Sequence, residues 1–172
     1  VRTRVGYAGG TQQNPTYYNL GDHTETIQID YDPEQITYAE LLDVFWDSHD
    51  PTAPSWSRQY MSAIFFENSE QQRLAEASKQ QAEERLGRPL YTEILSLDRF
   101  YLAEDYHQKY YLRRSQELMA ALQTVYPDDA DMVNSTAAAR LNGYVGGYGT
   151  LEDLQQGLEG VSPQGACEVD PG

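Results

Sequence analysis

The chain has 172 residues and a formal net charge of −15, with 12 Lys and Arg side chains. That length fits one domain, able to remove roughly 70% of its unfolded surface from water. So few cations argue against nucleic acid and anionic membranes as partners, since both require phosphates to be neutralised; no apolar run approaches the ~20 residues of a membrane helix. A hydrophobic fraction of 40% with 12% aromatics is that of a globular protein. The lone Cys167 allows no internal disulfide and favours a reducing, cytoplasmic setting, an organelle remaining open. Val1-Arg2-Thr3-Arg4 has neither an initiator Met nor the apolar core of a signal peptide and reads as the cut edge of a fragment.

In chain order, Arg2 to Tyr7 reads as a short strand closed by Gly9-Gly10, and Thr11 to Thr24 as a loop with Asn14-Pro15 and Gly21-Asp22 turn chemistry. From Glu25 to Tyr31 the apolar Ile27, Ile29 and Tyr31 alternate with Thr26, Gln28 and Asp30, which predicts a half-buried strand. Thr37 then caps a helix whose Tyr38, Leu41, Leu42, Phe45 and Trp46 form one stripe, ended before Pro51. Ser62 to Glu67 is a short apolar strand, and Ser69 with Gln72 predicts a capping box for a helix running to Leu86-Gly87. Tyr91 to Leu97 is a further strand. Ala103 to Val125 contains a long helix with Tyr111, Leu112, Leu118, Leu122 and Val125 on its apolar side. Asp128 to Gly149 holds another helix, and Leu151 to Leu158 a short one. The segment 128–172 has eight carboxylates against Arg140, so the chain divides into a domain over 1–149 and an acidic tail over 150–172. Alternating strands and helices predict an α/β, two-layer sandwich with helices packed on one face of a mixed sheet.

Three side chains stand out chemically. Glu25 sits where the polar loop meets the strand, and is either a desolvated acid able to donate a proton or an ordinary glutamate in water. Tyr17 follows Asn14-Pro15-Thr16, a rigid turn that orders a phenol at low cost, and Tyr60 offers a second phenol. With 14 tyrosines in the chain, any one alone reads equally as a packing residue. His23, His49 and His107 have neither cysteine partners nor ligand spacing, so no metal is implied.

Four strings, taken together, resemble the A-type peptide methionine sulfoxide reductases: Val5-Gly6-Tyr7-Ala8-Gly9-Gly10, the loop from Asn14 to Glu25, Gln59-Tyr60-Met61-Ser62-Ala63-Ile64, and Ala103-Glu104 through His107-Gln108 to Tyr110. The resemblance runs from about Val5 to Leu112. It implies a ferredoxin-like α/β sandwich and the thiol-dependent reduction of methionine S-sulfoxide, free or in proteins, by a monomer. No cofactor is implied beyond thioredoxin or another thiol as electron donor. In the family pattern Glu25 protonates the departing oxygen while Tyr17 and Tyr60 orient it. The family nucleophile, a cysteine in Gly-Cys-Phe-Trp-Gly upstream of Tyr-Ala-Gly-Gly, lies before the point where this chain starts.

The chain departs from the pattern in two places. Ser55-Trp56-Ser57-Arg58 stands where the family commonly has Asp-x-Gly-x before Gln-Tyr, so Arg58 either stabilises a thiolate by its charge or is a surface arginine. Val145 stands in Asn142 to Gly147 where many members carry a resolving cysteine. That leaves Cys167 as the candidate resolving thiol, or as a stray surface cysteine. His107 either braces the pocket through hydrogen bonds or is a core or capping histidine. A catalytically inactive relative that binds oxidised methionine or a protein partner is the alternative function.

Overall fold

The computed structural model describes residues 1–159. The elements in chain order are β1 (Arg2–Ala8), β2 (Thr24–Asp30), α1 (Tyr38–Asp47), β3 (Ala63–Phe66), α2 (Ser69–Leu86), β4 (Glu93–Ser96), β5 (Phe100–Leu102), α3 (Tyr110–Arg113), α4 (Gln116–Val125), α5 (Asp129–Val133), α6 (Thr136–Val145) and α7 (Leu151–Leu158). The α/β class holds, but as two small sheets: three strands in the order β2-β1-β5 and a pair, β3-β4. β1 runs antiparallel to β5 with Tyr7 opposite Tyr101, and β3 runs parallel to β4 with Ile64 opposite Ile94. The chain forms two compact units, one of residues 5–27 and 31–104, the other of 1–4, 28–30 and 105–159.

In the first unit, α1 and α2 pack on each other and α2 packs on β3 and β4. Thr37 caps α1 as its sequence predicts, its hydroxyl accepting from the Glu40 N–H while the Glu40 carboxylate accepts from the Thr37 N–H. The apolar stripe of α1 brings Leu42 and Trp46 into a core with Ile64, Ala75, Ala82 and Leu90. The Trp46 indole reaches Ser78 Oγ at 3.0 Å, so its one polar atom stays satisfied. The cap of α2 lies one residue earlier than expected: Asn68 Oδ1 accepts from the N–H groups of Glu70 and Gln71, which leaves Ser69 inside the helix. Gly87 ends that helix in a left-handed conformation.

The second unit is mainly helical. Leu112, Leu122, Met132, Val133 and Ala138 form its core, with Leu118 and Leu141 packed against them. The long helix expected over 103–125 is instead a turn, α3 and α4, and Tyr111 and Val125 of its predicted apolar side are exposed. Two backbone positions break it. Lys109 adopts a left-handed φ of 53°, and Arg114 and Ser115 close tight turns onto Tyr111 and Leu112 before Ser115 extends. The single helix expected over 128–149 is likewise divided, because Ser135 leaves helical backbone and caps α6 through the Ala138 N–H. The helix read at 151–158 is present as α7.

β2 reverses the expected facing of its side chains. Ile27 and Ile29 are 55% and 36% exposed, whereas Thr24 is buried and Thr26, Gln28 and Asp30 are half-buried. Hydrogen bonds account for the choice of face: the Thr24 hydroxyl donates to the Arg58 carbonyl, and Arg4 donates to Gln28 at 3.1 Å and Asp30 at 2.7 Å. In a strand one face or the other turns inward as a set, so anchoring the polar set exposes the isoleucines.

The Lys109 side chain is buried, and its ammonium donates to both the carbonyl and the hydroxyl of Thr3. Burial first, then the nearby charges of Arg4 and Arg113, push its pKa from 10.5 down to about 8. Between those two values the unfolded chain binds the proton more tightly, so this residue adds stability as pH rises from about 8 toward 10.5. We predict that the urea midpoint of wild type gains relative to Lys109→Met across that window, and equal pH profiles would contradict this. In the other core, Leu42→Ala should cost about 3 kcal/mol by chemical denaturation, through lost burial and the cavity left behind.

Candidate active site

The segment from Gly9 to Glu25 is organised by polar contacts of two adjacent residues, Asp22 and His23. His23 is 1% exposed; its Nε2 lies 2.8 Å from the Gln12 carbonyl, which can only accept, so Nε2 donates and Nδ1 accepts the Gly10 N–H at 3.2 Å. The ring also stands edge-on to Tyr101 at 5.4 Å. This close approach requires glycine at position 10, where a Cβ would sit 2.6 Å from the imidazole. The Asp22 carboxylate accepts from the Thr11 N–H at 2.8 Å, from its hydroxyl at 3.0 Å and from the Gln12 N–H at 3.3 Å. These bonds, the Thr11 N–H foremost, hold the Asp22 pKa down at about 2, against the opposing effect of desolvation.

Tyr17 and Tyr18 occupy the tip of a tight turn closed by two backbone hydrogen bonds between Thr16 and Asn19. The turn is reached through Asn14 at φ 52°, a left-handed position that asparagine tolerates better than most residues. Glu104 then fastens it. One carboxylate oxygen accepts from the Tyr17 N–H at 3.0 Å and the other from the Tyr7 hydroxyl at 2.7 Å.

Glu25 is the second residue of β2 and its N–H donates to the Gln59 carbonyl at 2.9 Å, which sets the start of the strand against the Gln59-Tyr60 segment. The Gln59 amide nitrogen donates to the Glu25 carboxylate at 2.7 Å and to the Tyr60 hydroxyl at 3.1 Å. Tyr60 is in turn hydrogen-bonded to Tyr17, and that bond, followed by desolvation and the charge of Glu25, raises its pKa above the ordinary 10. The three residues singled out in sequence therefore come together, with Gln59 as the bridging amide. Glu25 is solvent-exposed, so hydrogen bonding to Gln59, rather than the expected desolvation, fixes its carboxylate.

The remaining candidates are placed differently. The Arg58 guanidinium donates to the carbonyls of Asp22 at 2.9 Å and Gly9 at 3.2 Å, bracing the turn and the loop against each other. His107 belongs to the other unit, where its ring leans on Tyr106 at 4.2 Å. Cys167 lies outside the described residues. Sequence reasoning passed over Gln59 and Glu104 as contributors, although each stood inside a quoted string. Their signal was a polar side chain held at a strand or turn boundary next to a tyrosine.

A carboxyl group, an amide N–H and two phenols at one place can hold a polar oxygen and hand it a proton. Residues 1–139 match the family model for peptide methionine sulfoxide reductase. This chain belongs to the peptide methionine sulfoxide reductase family. Residues 128–163 also match a model described as the helical domain of selenoprotein methionine sulfoxide reductase A. The Drosophila melanogaster peptide methionine sulfoxide reductase is 43% identical over 168 residues, 95% of this chain and 67% of that one. Peptide methionine sulfoxide reductase A5 of Arabidopsis thaliana is 42% identical over 150 residues, 84% of this chain and 58% of that protein. Methionine sulfoxide reductase A of Corynebacterium diphtheriae superposes with a TM-score of 0.57 at 33% identity, over 67% of this chain and 64% of that one. The chain thus spans about three fifths to two thirds of these relatives. Among the described residues, no helix of this family member is long and apolar enough to cross a membrane.

The phenol pair offers a direct measurement. Removing the Tyr17 hydroxyl with Tyr17→Phe should lower the Tyr60 pKa toward 10, and Glu25→Gln should lower it by less, because Tyr17 is the larger cause. A titration of the tyrosine ring carbons by NMR reads both, and a Tyr60 resonance that titrates identically in all three proteins would contradict the pairing.

Proposed function

We propose that this chain takes part in the thiol-dependent reduction of methionine S-sulfoxide, free or in proteins, to methionine, as repair of oxidative damage. The observation that carries the reading is the hydrogen-bonded set of Glu25, Gln59, Tyr60 and Tyr17. In this reading the two phenols orient the sulfoxide oxygen and Glu25 gives it a proton while a thiolate attacks the sulfoxide sulfur. The sulfur–oxygen bond then breaks: the methionine sulfur is reduced, and the oxygen leaves as a hydroxyl on the attacking sulfur, a sulfenic acid. Thioredoxin or another thiol returns that sulfur to the thiol with release of water. Substrate bound over the exposed Glu25 would itself exclude water and make the carboxyl a better donor.

Several finer assignments go with this proposal. The two small sheets and their helices are read as a two-layer, ferredoxin-like sandwich over 1–149, with 150–172 as an acidic tail. Arg58 serves as a support of the site through the carbonyls it binds. The protein works as a monomer in a reducing compartment such as the cytoplasm, and Cys167 is proposed as a resolving thiol. The attacking thiol is not among residues 1–159, since Cys167 is the one cysteine of the sequence. A second reading is that the chain binds oxidised methionine or a protein partner without turnover.

Assay of the full gene-encoded protein with methionine S-sulfoxide and either dithiothreitol or thioredoxin separates the two. We expect turnover, and a fall in kcat of about 100-fold in Glu25→Gln with substrate binding retained. Unchanged kcat in that variant would remove the acid role from Glu25. Binding without any turnover by wild type would establish the second reading.

A further inference from the structure

Each of the two paired phenols carries an aromatic neighbour that faces water. Tyr18, at the tip of the same turn as Tyr17, is 89% exposed and meets the Tyr17 ring edge-on at 5.4 Å. Trp56 is 82% exposed and lies 5.0 Å from the Tyr60 ring, tilted by 45°. Indole and phenol rings this exposed gain nothing from the fold's own cores: the buried Trp46 shows how this chain treats a tryptophan that it uses for packing. Backbone bonds between Thr16 and Asn19 fix the turn that carries Tyr18, so the backbone beneath its ring needs no further ordering on binding.

Charge narrows what such rings receive. The chain carries a net charge of −15, which draws cationic segments toward it and repels anionic ones. The faces of Trp and Tyr attract ammonium and guanidinium groups. Arg58, the cation two residues from Trp56, already has its guanidinium on the carbonyls of Asp22 and Gly9. We propose that Trp56 and Tyr18 form a rim that binds a polypeptide segment in which the oxidised methionine is flanked by Lys or Arg, the cations stacking on the exposed rings. The inference rests on the sulfoxide-binding reading of the Tyr17–Tyr60 site and names the substrate class that this site prefers.

The chain's two tryptophans make the rim observable without turnover, because each gives its own indole N–H signal by NMR and one of them is buried. The probes are acetyl-Lys-methionine S-sulfoxide-Lys-amide, its Glu-flanked counterpart, and the Lys-flanked peptide with unoxidised methionine. We expect the Lys-flanked sulfoxide to move the Trp56 indole and leave that of Trp46 in place, and to bind at least tenfold more tightly than the Glu-flanked one. Trp56→Ala should weaken it by about threefold to fivefold, with Trp56→Phe intermediate. The Trp46 signal reports in each variant that the fold is intact. A Trp56 indole that does not move, equal affinity for Lys and Glu flanks, or full affinity in Trp56→Ala would each overturn the rim. If the unoxidised Lys-flanked peptide bound as tightly as the sulfoxide, and still through Trp56, the rim would stand and the sulfoxide reading of the site would fall.

Discussion

The buried imidazole of His23 is the constraint on which the geometry of the site rests. It joins two backbone groups that local structure would leave unpaired, the Gly10 N–H and the Gln12 carbonyl, and does so from the position before Thr24, where β2 begins. An unpaired backbone group kept from water costs about 1–3 kcal/mol, so a single ring that satisfies two of them holds its loop firmly. Asp22 repeats the device on its other side with three further donors. The consequence is felt at Glu25, two residues on: with Thr24 bonded to the Arg58 carbonyl and the Glu25 N–H to that of Gln59, its carboxylate starts beside the Gln59 amide that it accepts from.

Electrostatics at the site follow first from that placement, with desolvation second. Glu25 and Tyr60 are both exposed, yet they share the Gln59 amide, and Tyr60 keeps its proton more tightly because Tyr17 is bonded to it. Such a site is set up by position while its local dielectric is left to whatever occupies it. In the proposed reaction a sulfoxide oxygen would meet donors already aimed, which would lower the reorganisation needed at the moment of proton transfer.

Where local chemistry is decisive, the chain's structure was legible in its letters. The Thr37 cap and the α1 stripe follow from capping and period alone, and the helix read at Leu151–Leu158 is present. Tyr17, Glu25 and Tyr60 were found through the strings that contain them. What local pattern does not carry is the choice of sheet face and the breaks within helical stretches. β2 has a clean alternation, but period two is symmetric between faces, and distant partners (Arg4 for Gln28 and Asp30, Arg58 for Thr24) decide which face turns inward. The helical stretch over 103–125 is interrupted because Lys109 takes a left-handed backbone while its side chain reaches Thr3, a partner 106 residues away. Gln59 and Glu104 were hidden for the same reason: their value lies in what they touch across 34 and 87 residues of chain.

In the loop from Gly9 to Glu25, Leu20 is buried with Tyr7 and Ala103, and Tyr17 packs against them; the rest of the loop and the segment before Tyr60 are held by hydrogen bonds to backbone. This permits an unusual distribution of aromatic side chains. In a loop stabilised by core burial alone, Tyr18 and Trp56 would be drawn inward as Leu20 is, because burying a large ring is worth several times an ordinary hydrogen bond. Here the polar clamps of Asp22, His23, Arg58 and Glu104 carry that task, and the rings remain in water beside the phenols. Placement of the site and exposure of its rim thus have one physical origin, a loop whose shape is set by its backbone partners.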